Sequence, residues 1–476
     1  MFLNNLSHEI KLLLRSQWLL VLFISTTLLF AFAAFNGNKN VEKRLNDISK
    51  VTESLQIQDS AMLSTLTKIE KGEAVDGPSW RLPSDPMTIG YRHPRLAIMN
   101  PNEFSFIATG QSDMYTHFKS PTVYGNNFAL DYSEMINPVQ LLFGNFDLAF
   151  VIIYILPLLI ISFTFNILSK EKELGTLRLL SAQPLSMINW LLQKTGIRFL
   201  IFTLISIVSL LFVIAIFSPN SLGDGFSMLG LVALLSVYNL FWFVLSCVIN
   251  IMVNNSAKNA LTLIGLWLLI VLVLPASINQ IGNSLYPVPS RLKMINEIRS
   301  IKKENEESQN KIMDEYLRNH PELAQQSDKD NFGFWHNYFA SEKVMEEKTK
   351  PILVEYEGQL KKQQDLISLF KYLSPAILVQ QSLNNFAGTS EKHYNDYKKQ
   401  VFEFSDKWRS YLAPMLFKNQ KFTIKNYNEM PVFNYENRIK NNIWLSTIIL
   451  VFTSAFVFFL FNSKRLKNKS AQEFID

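Results

Sequence analysis

Six apolar runs, each near the roughly 20 residues that a helix needs to cross a bilayer, interrupt this chain and leave it few ways to fold. They cover 18–35, 147–168, 198–217, 226–252, 259–281 and 443–462. Lipid offers the backbone no hydrogen-bond partner, so each run has to be helical. Their interiors hold no Asp, Glu, Lys, Arg or His, and Asp147 and Arg198 stand only at edges. The expected fold class is an all-α polytopic membrane protein with six transmembrane helices. The first run has an alternative reading as a signal peptide, because "AFAA" at 31–34 offers a small-x-small cleavage site. It is longer than a usual signal core, which favours a retained span.

An even number of spans puts both ends on one side. The segments of that side carry Lys11, Arg15, Lys170, Lys172, Arg178, Lys194, Arg198, Lys258, Lys464, Arg465, Lys467 and Lys469. The short loop 218–225 on the other side has no Lys or Arg. The positive-inside rule then predicts that both termini are cytoplasmic. The net charge of +6 serves topology in this reading, and no nucleic-acid partner is expected. Cys247, the one cysteine, lies inside an apolar run, so the outer parts fold without disulfides.

The layout follows. Residues 1–17 read as an amphipathic interfacial helix, with Leu3, Leu6, Ile10, Leu13 and Leu14 opposite Asn4, His8, Lys11 and Arg15. Transmembrane helix 1 (18–35) and helix 2 (147–168) flank an extracytoplasmic insertion, 36–146. A loop at 169–197 leads to helices 3–5 within 198–281. A second insertion spans 282–442, then helix 6 at 443–462 and a basic tail at 463–476. The first insertion opens with a helical pattern over 41–71 and becomes irregular after "DGPSWRLPSDP". The second reads as long charged helices punctuated by Pro321 and Pro375. Both outer domains are therefore expected to be mainly helical.

Most catalytic chemistry is missing. None of the 17 glycines is followed by lysine, which excludes a Gly-Lys-Ser/Thr phosphate loop. There is no His-Glu-x-x-His, no cysteine pair for zinc and no Gly-x-Ser-x-Gly. Asp113 and His117 are four apart but lack a third ligand, so an exposed polar pair is the favoured reading over a metal site. Ion-coupled transporters need ionisable groups or broken helices at mid-depth, and the apolar runs hold no ionisable residue. Asn166, Asn239 and Asn250 inside the runs read as fasteners between helices.

One connector remains to be explained, "SKEKELGTLRLLSAQP" at 169–184. A helix starting near Glu171 or Glu173 would put carboxylates at its positive end. Leu177 and Leu180, three apart, would form one apolar ridge. Pro184 would end it. That is a small knob with a charged rim, and its plain alternative is a helix resting on lipid headgroups.

The stretch resembles the loop after the second span of type 2 ABC transporter permeases. Glu171, Glu173, Gly175, Thr176, Leu177, Leu179, Leu180 and Pro184 fit that pattern. The family's Gly-Lys at the next span is here Gln193-Lys194, so that element is half present. "NPVQLLFGNFDLAFVIIYILPLL", "GQSDMY" and "LSPAILVQQSLNNFAGTSEKHYNDY" are similar to a bacterial subgroup with two large extracytoplasmic insertions. In that subgroup the second insertion is a domain of unknown function.

The resemblance implies a permease subunit of an ATP-driven exporter in the bacterial inner membrane. A separate cytoplasmic ABC ATPase would dock on a coupling helix formed by Glu171, Glu173, Gly175, Thr176, Leu177, Leu180 and Pro184. ATP and magnesium would be bound by that partner, with no cofactor in this chain and no enzyme activity of its own. The permease would pair with a second copy or a paralogue, and helix 1–17 would lie along the bilayer. Two other readings stand beside it. One is an ABC-type subunit that transmits motion to an envelope partner without transport, and the other is a membrane-anchored assembly or receptor protein.

Overall fold

The computed structural model describes residues 9–11, 13–15, 17–78, 81–110, 112, 115–122, 145–177, 187–253, 255–287, 290–307, 318 and 334–465. Six of its helices are long and apolar enough to cross a membrane, and the chain is a multi-pass membrane protein on that basis. They are α1 (Trp18–Glu70), α3 (Leu148–Glu173), α4 (Met187–Phe217), α5 (Gly225–Met252), α6 (Ser256–Leu285) and α12 (Ile443–Arg465). Between them stand α2 (Pro86–Arg92), α7 (Arg291–Glu307), α8 (Phe334–Phe370), α9 (Pro375–Ala387), α10 (Glu391–Phe417) and α11 (Ile424–Glu429). The described strands are one antiparallel pair, Ala97–Ile98 with Phe118–Lys119.

The first span does not end where its apolar residues do. α1 runs unbroken for 53 residues. At 1.5 Å per residue that is about 80 Å. The sequence breaks at "FNGNKN", but the helix is carried through by contacts made there. Asn36 Nδ2 donates to the Phe146 carbonyl at 2.9 Å. Gly37 is buried and lies flush against the backbone of Phe106.

Within the bundle α3 and α5 are the most enclosed helices, and α6 is the least. Side-chain amides and hydroxyls bind them together. Asn250 Nδ2 donates to the carbonyls of Thr164 at 3.0 Å and Ser246 at 2.9 Å. Asn259 Nδ2 donates to the Phe165 carbonyl at 3.1 Å. Asn250 thus does act as a fastener. Asn239 is fully buried too, yet its amide has no partner among the described residues.

The two insertions share their cores. Far along α1, Met62 and Leu66 pack with Met87 and Ile89 of α2, Phe339 and Val344 of α8, Trp408, Leu412 and Phe417 of α10, and Phe422. Nearer the bundle, the Ala149 amide donates to the Ile107 carbonyl at 2.9 Å. Ser105 Oγ donates to the Ala387 carbonyl at 3.1 Å, and Thr389 Oγ1 to that of Ala108 at 2.6 Å. Asp147 caps α3, accepting from the Phe150 amide at 2.8 Å and the Thr109 amide at 2.9 Å.

α8 descends along α6 and α9 climbs back. Gln363 Nε2 donates to the Tyr286 carbonyl at 2.6 Å, and Leu366 and Ile367 pass Gly282. Ser374 Oγ then donates to the Ile270 carbonyl at 3.2 Å, inside the fifth apolar run. Ser374 also accepts from the Ile377 amide at 3.4 Å, with Pro375 opening α9. α9 packs against α12, α6, α5 and α3.

Both α3 and α6 widen into a π turn at this level, Val151–Ile155 and Leu268–Val273, and each is followed by a proline. Pro157 has no N–H to offer the turn before it, and Pro275 has none for Ile270, five back in the register by which Leu274 bonds Leu269. A side chain from elsewhere serves a carbonyl in each turn: Tyr238 Oη donates to Ile153 at 3.0 Å, and Ser374 Oγ to Ile270. A prediction follows from the second pair. Ser374→Ala will cost about 1–2 kcal/mol in unfolding titrations of the detergent-solubilised protein. Pro275→Ala in that background will recover the carbonyl's part, because the restored N–H takes the orphan, and will leave the lost cap of α9 unrepaired. Equal stability of single and double variants would refute the pairing.

Candidate functional site

The face of the bundle opposite the insertions gathers the connector and the N-terminal segment. The last segment of α3 is a short helix of its own, Ser169–Glu173, which follows a turn at 165–168, holds Glu171 in its first turn and stops after Glu173. The Leu174 amide donates to Lys170 and the Gly175 amide to Lys172, each at 3.0 Å. Gly175 then turns the chain with φ +74°, and a Cβ there would touch nothing, so glycine is needed for its backbone alone. Thr176 and Leu177 open the next helical turn.

The turn is held shut by its own side chains. Thr176 Oγ1 reaches back to the Glu171 carbonyl at 3.0 Å and its carboxylate at 2.5 Å. Glu173 accepts from the Ser256 amide at 3.0 Å, and Ser169 and Ser256 hydroxyls meet at 2.8 Å, which fixes the turn to the start of α6. Lys194 Nζ donates to Glu171 at 3.0 Å and lies 3.9 Å from Glu9. Arg198 Nε donates to Glu9 at 2.9 Å, and its Nη1 to the Phe163 carbonyl at 2.6 Å. The result is a sheltered chain of alternating charge, Glu171–Lys194–Glu9–Arg198, that joins α3, α4 and the N-terminal helical residues 9–11.

Glu171, Glu173, Gly175, Thr176 and Leu177 are therefore brought together. Leu180 and Pro184 lie outside the described residues, as do Leu3 and Leu6. Ile10 is half-buried, Leu13 is buried in the main core and Leu14 is exposed, with Lys11 and Arg15 exposed beside it. Leu177 faces inward, 2% exposed, against Ile167, Leu168, Leu191, Cys247 and Ile251. The large apolar side chain that the turn presents outward is Leu174, 65% exposed.

Two members were not legible as such. Leu174 was missed because a helix phased from Glu171 puts 177 and 180 on the ridge, whereas the left-handed glycine resets the phase. Glu9 carried a usable signal: it stands one turn before Leu13, an acid on the buried face that calls for a cation.

On the insertion side, Asp113 lies outside the described residues. His117 is largely enclosed, and burial with the Arg44 charge nearby pushes it down to about 3. Among the described residues no three His, Cys, Asp or Glu side chains cluster as metal ligands would.

Residues 291–436 match the family described as "Domain of unknown function (DUF3526)". The match falls in the second insertion, and it covers α7, α8, α9, α10 and α11. Neither the curated proteins nor the solved structures give a match.

Proposed function

We propose that this chain is the membrane-spanning subunit of an ATP-driven ABC-type exporter, with the 171–177 turn as the place where a separate cytoplasmic ATPase docks. The observation that carries the reading is the build of that turn. It offers one exposed apolar side chain, Leu174, on a rim of Lys170, Lys172 and Glu173. It is braced to α6 through Ser256 and to α4 through Lys194, so a push on it reaches three helices at once. In this reading the connector face is cytoplasmic, as the basic residues on it favour. The bilayer is the bacterial inner membrane, the working unit is a dimer with a second permease, and the cargo is unnamed. The partner binds ATP and magnesium.

The test uses the full-length chain purified from its native cells. The wild-type protein is expected to bring with it a vanadate-sensitive ATP-hydrolysing subunit. Leu174→Asp is expected to keep its unfolding midpoint and to lose about tenfold or more of the associated hydrolysis, as the loss of one anchor of an interface would give. Leu177→Asp would not serve, because Leu177 supports the fold. Recovery of the wild-type chain with no ATP-hydrolysing subunit would sink the reading.

A second output is favoured by α1, which joins the bundle to the distal core without a break. It fits a subunit that drives an envelope partner rather than a cargo. ATP hydrolysis stimulated by that partner in vesicles without any flux would select it.

A further inference from the structure

The second insertion turns back beside α6 at residues 369–373, between α8 and α9. The level of the membrane boundary on the insertion side can be read from the spans themselves. It passes through Asn36, bonded to the Phe146 carbonyl, and through Phe106, whose ring lies 6.1 Å from that of Phe217. On α6 the level is set by Trp267, whose Nε1 donates to the Tyr154 carbonyl at 3.2 Å. Tyr154 lies seven residues inside Asp147, about 10 Å along the helix, and Ile270 is three residues nearer the boundary, which leaves it roughly 6 Å below. Ser374 bonds to Ile270, so the turn between α8 and α9 sits at that depth.

The side chains of the turn fit that place. Leu369 is 69% exposed, Tyr372 43% and Leu373 63%, while the following residues Ser374, Pro375 and Ala376 are buried against the bundle. On α6, to either side of the Ile270 carbonyl that Ser374 reaches, Leu268, Leu269, Leu272 and Val273 are exposed as well. Lys371 stands among them with its ammonium 5.0 Å from the centre of the Tyr372 ring. In water, such a patch on a soluble domain would be a liability. At the acyl–headgroup boundary the leucines enter hydrocarbon, the tyrosine takes the interfacial position, and the lysine extends its stem toward phosphates.

We propose that the α8–α9 turn, residues 369–373, is immersed in the leaflet on the insertion side, with Leu369, Tyr372 and Leu373 against acyl chains and Lys371 at the headgroup phosphates. The occupant is bilayer lipid and not a second copy of the chain, because the turn is bonded to a span among that span's own exposed apolar residues. The inference needs only that the six helices cross a membrane, so it stands apart from the ATPase reading.

Nitroxide spin labels on single cysteines test it, in the full chain with Cys247→Ala, reconstituted in phospholipid vesicles. Labels go at Leu373 and at Leu369, with Phe456 on α12 as a lipid control and Val354, far up α8, as an aqueous one. The expected result is that labels at 373 and 369 collide with oxygen several-fold more than with a water-soluble nickel chelate, as at 456, and that 354 shows the reverse. Nickel-accessible labels at 369 and 373 would overturn the proposal. So would labels reached by neither reagent and broadened by dipolar coupling between copies. Two label sites guard against one variant that perturbs the turn.

Discussion

Gly37→Ala will destabilise the protein by about 3 kcal/mol or more, although alanine is the better helix former. A Cβ at position 37 would overlap the Phe106 carbonyl oxygen and lie 3.0 Å from the carbonyl carbon. That oxygen belongs to backbone and cannot swing away as a side-chain end would. The Phe106–Thr109 segment is itself held from three sides, by Ala149, Asp147 and Thr389. Relief therefore requires α1 to part from the top of the bundle, which opens the core around Phe30, Ala33 and Ala34. The measurement is a denaturant or thermal unfolding midpoint in detergent micelles. A Gly37→Ala protein within about 0.5 kcal/mol of the parent would show that the close approach is not made.

The second large effect is expected at the buried charge chain. Arg198→Met will cost about 3 kcal/mol, because Glu9 is left in a sheltered site with only the more distant Lys194. The Phe163 carbonyl loses its donor in the same step. Glu9→Gln combined with Arg198→Met will be more stable than Arg198→Met alone, since the uncompensated carboxylate is gone. This ordering separates a working ion pair from a decorative one. Additive losses in the double variant would mean that Glu9 and Arg198 do not interact. Under the proposed ATPase reading, the same two variants, read for co-purifying ATP hydrolysis, test whether the Glu9–Arg198 pair couples the N-terminal helical residues to the connector turn.

The spans were legible because periodicity was not needed to see them; length and the absence of charge sufficed. Boundaries that rest on tertiary contacts were not legible. Asn36, Gly37 and Asn38 read as a break, and only Phe146 and Phe106, more than sixty residues away in sequence, make them part of one helix. The helical character of the second insertion was visible in its charge pattern, and Pro375 marks the start of α9 as expected. What no local pattern could convey is that Ser374 reaches a carbonyl freed by Pro275, a hundred residues earlier. At the connector, Glu171, Glu173, Gly175 and Thr176 were grouped through a family resemblance, and the structure places them in one turn. The helix that carries the two acids is shorter than expected: it opens at Ser169 with Glu171 in its first turn and ends at Glu173. The residues that brace them, Lys194, Arg198 and Glu9, come from two other segments, and only Glu9's place on an apolar face hinted at it.

The unbroken course of α1 has a consequence of plain geometry. From Asn36 to Glu70 the helix extends about 50 Å beyond the apolar region, at 1.5 Å per residue. A rod of that length pivoting at Gly37 is a lever. A tilt of about 10° within the membrane would sweep its far end at Glu70 through roughly 9 Å, and Met62 and Leu66 through about 7 Å, given the same helical rise. A displacement too small to open a path through the bundle would thus still be large at the outer tip.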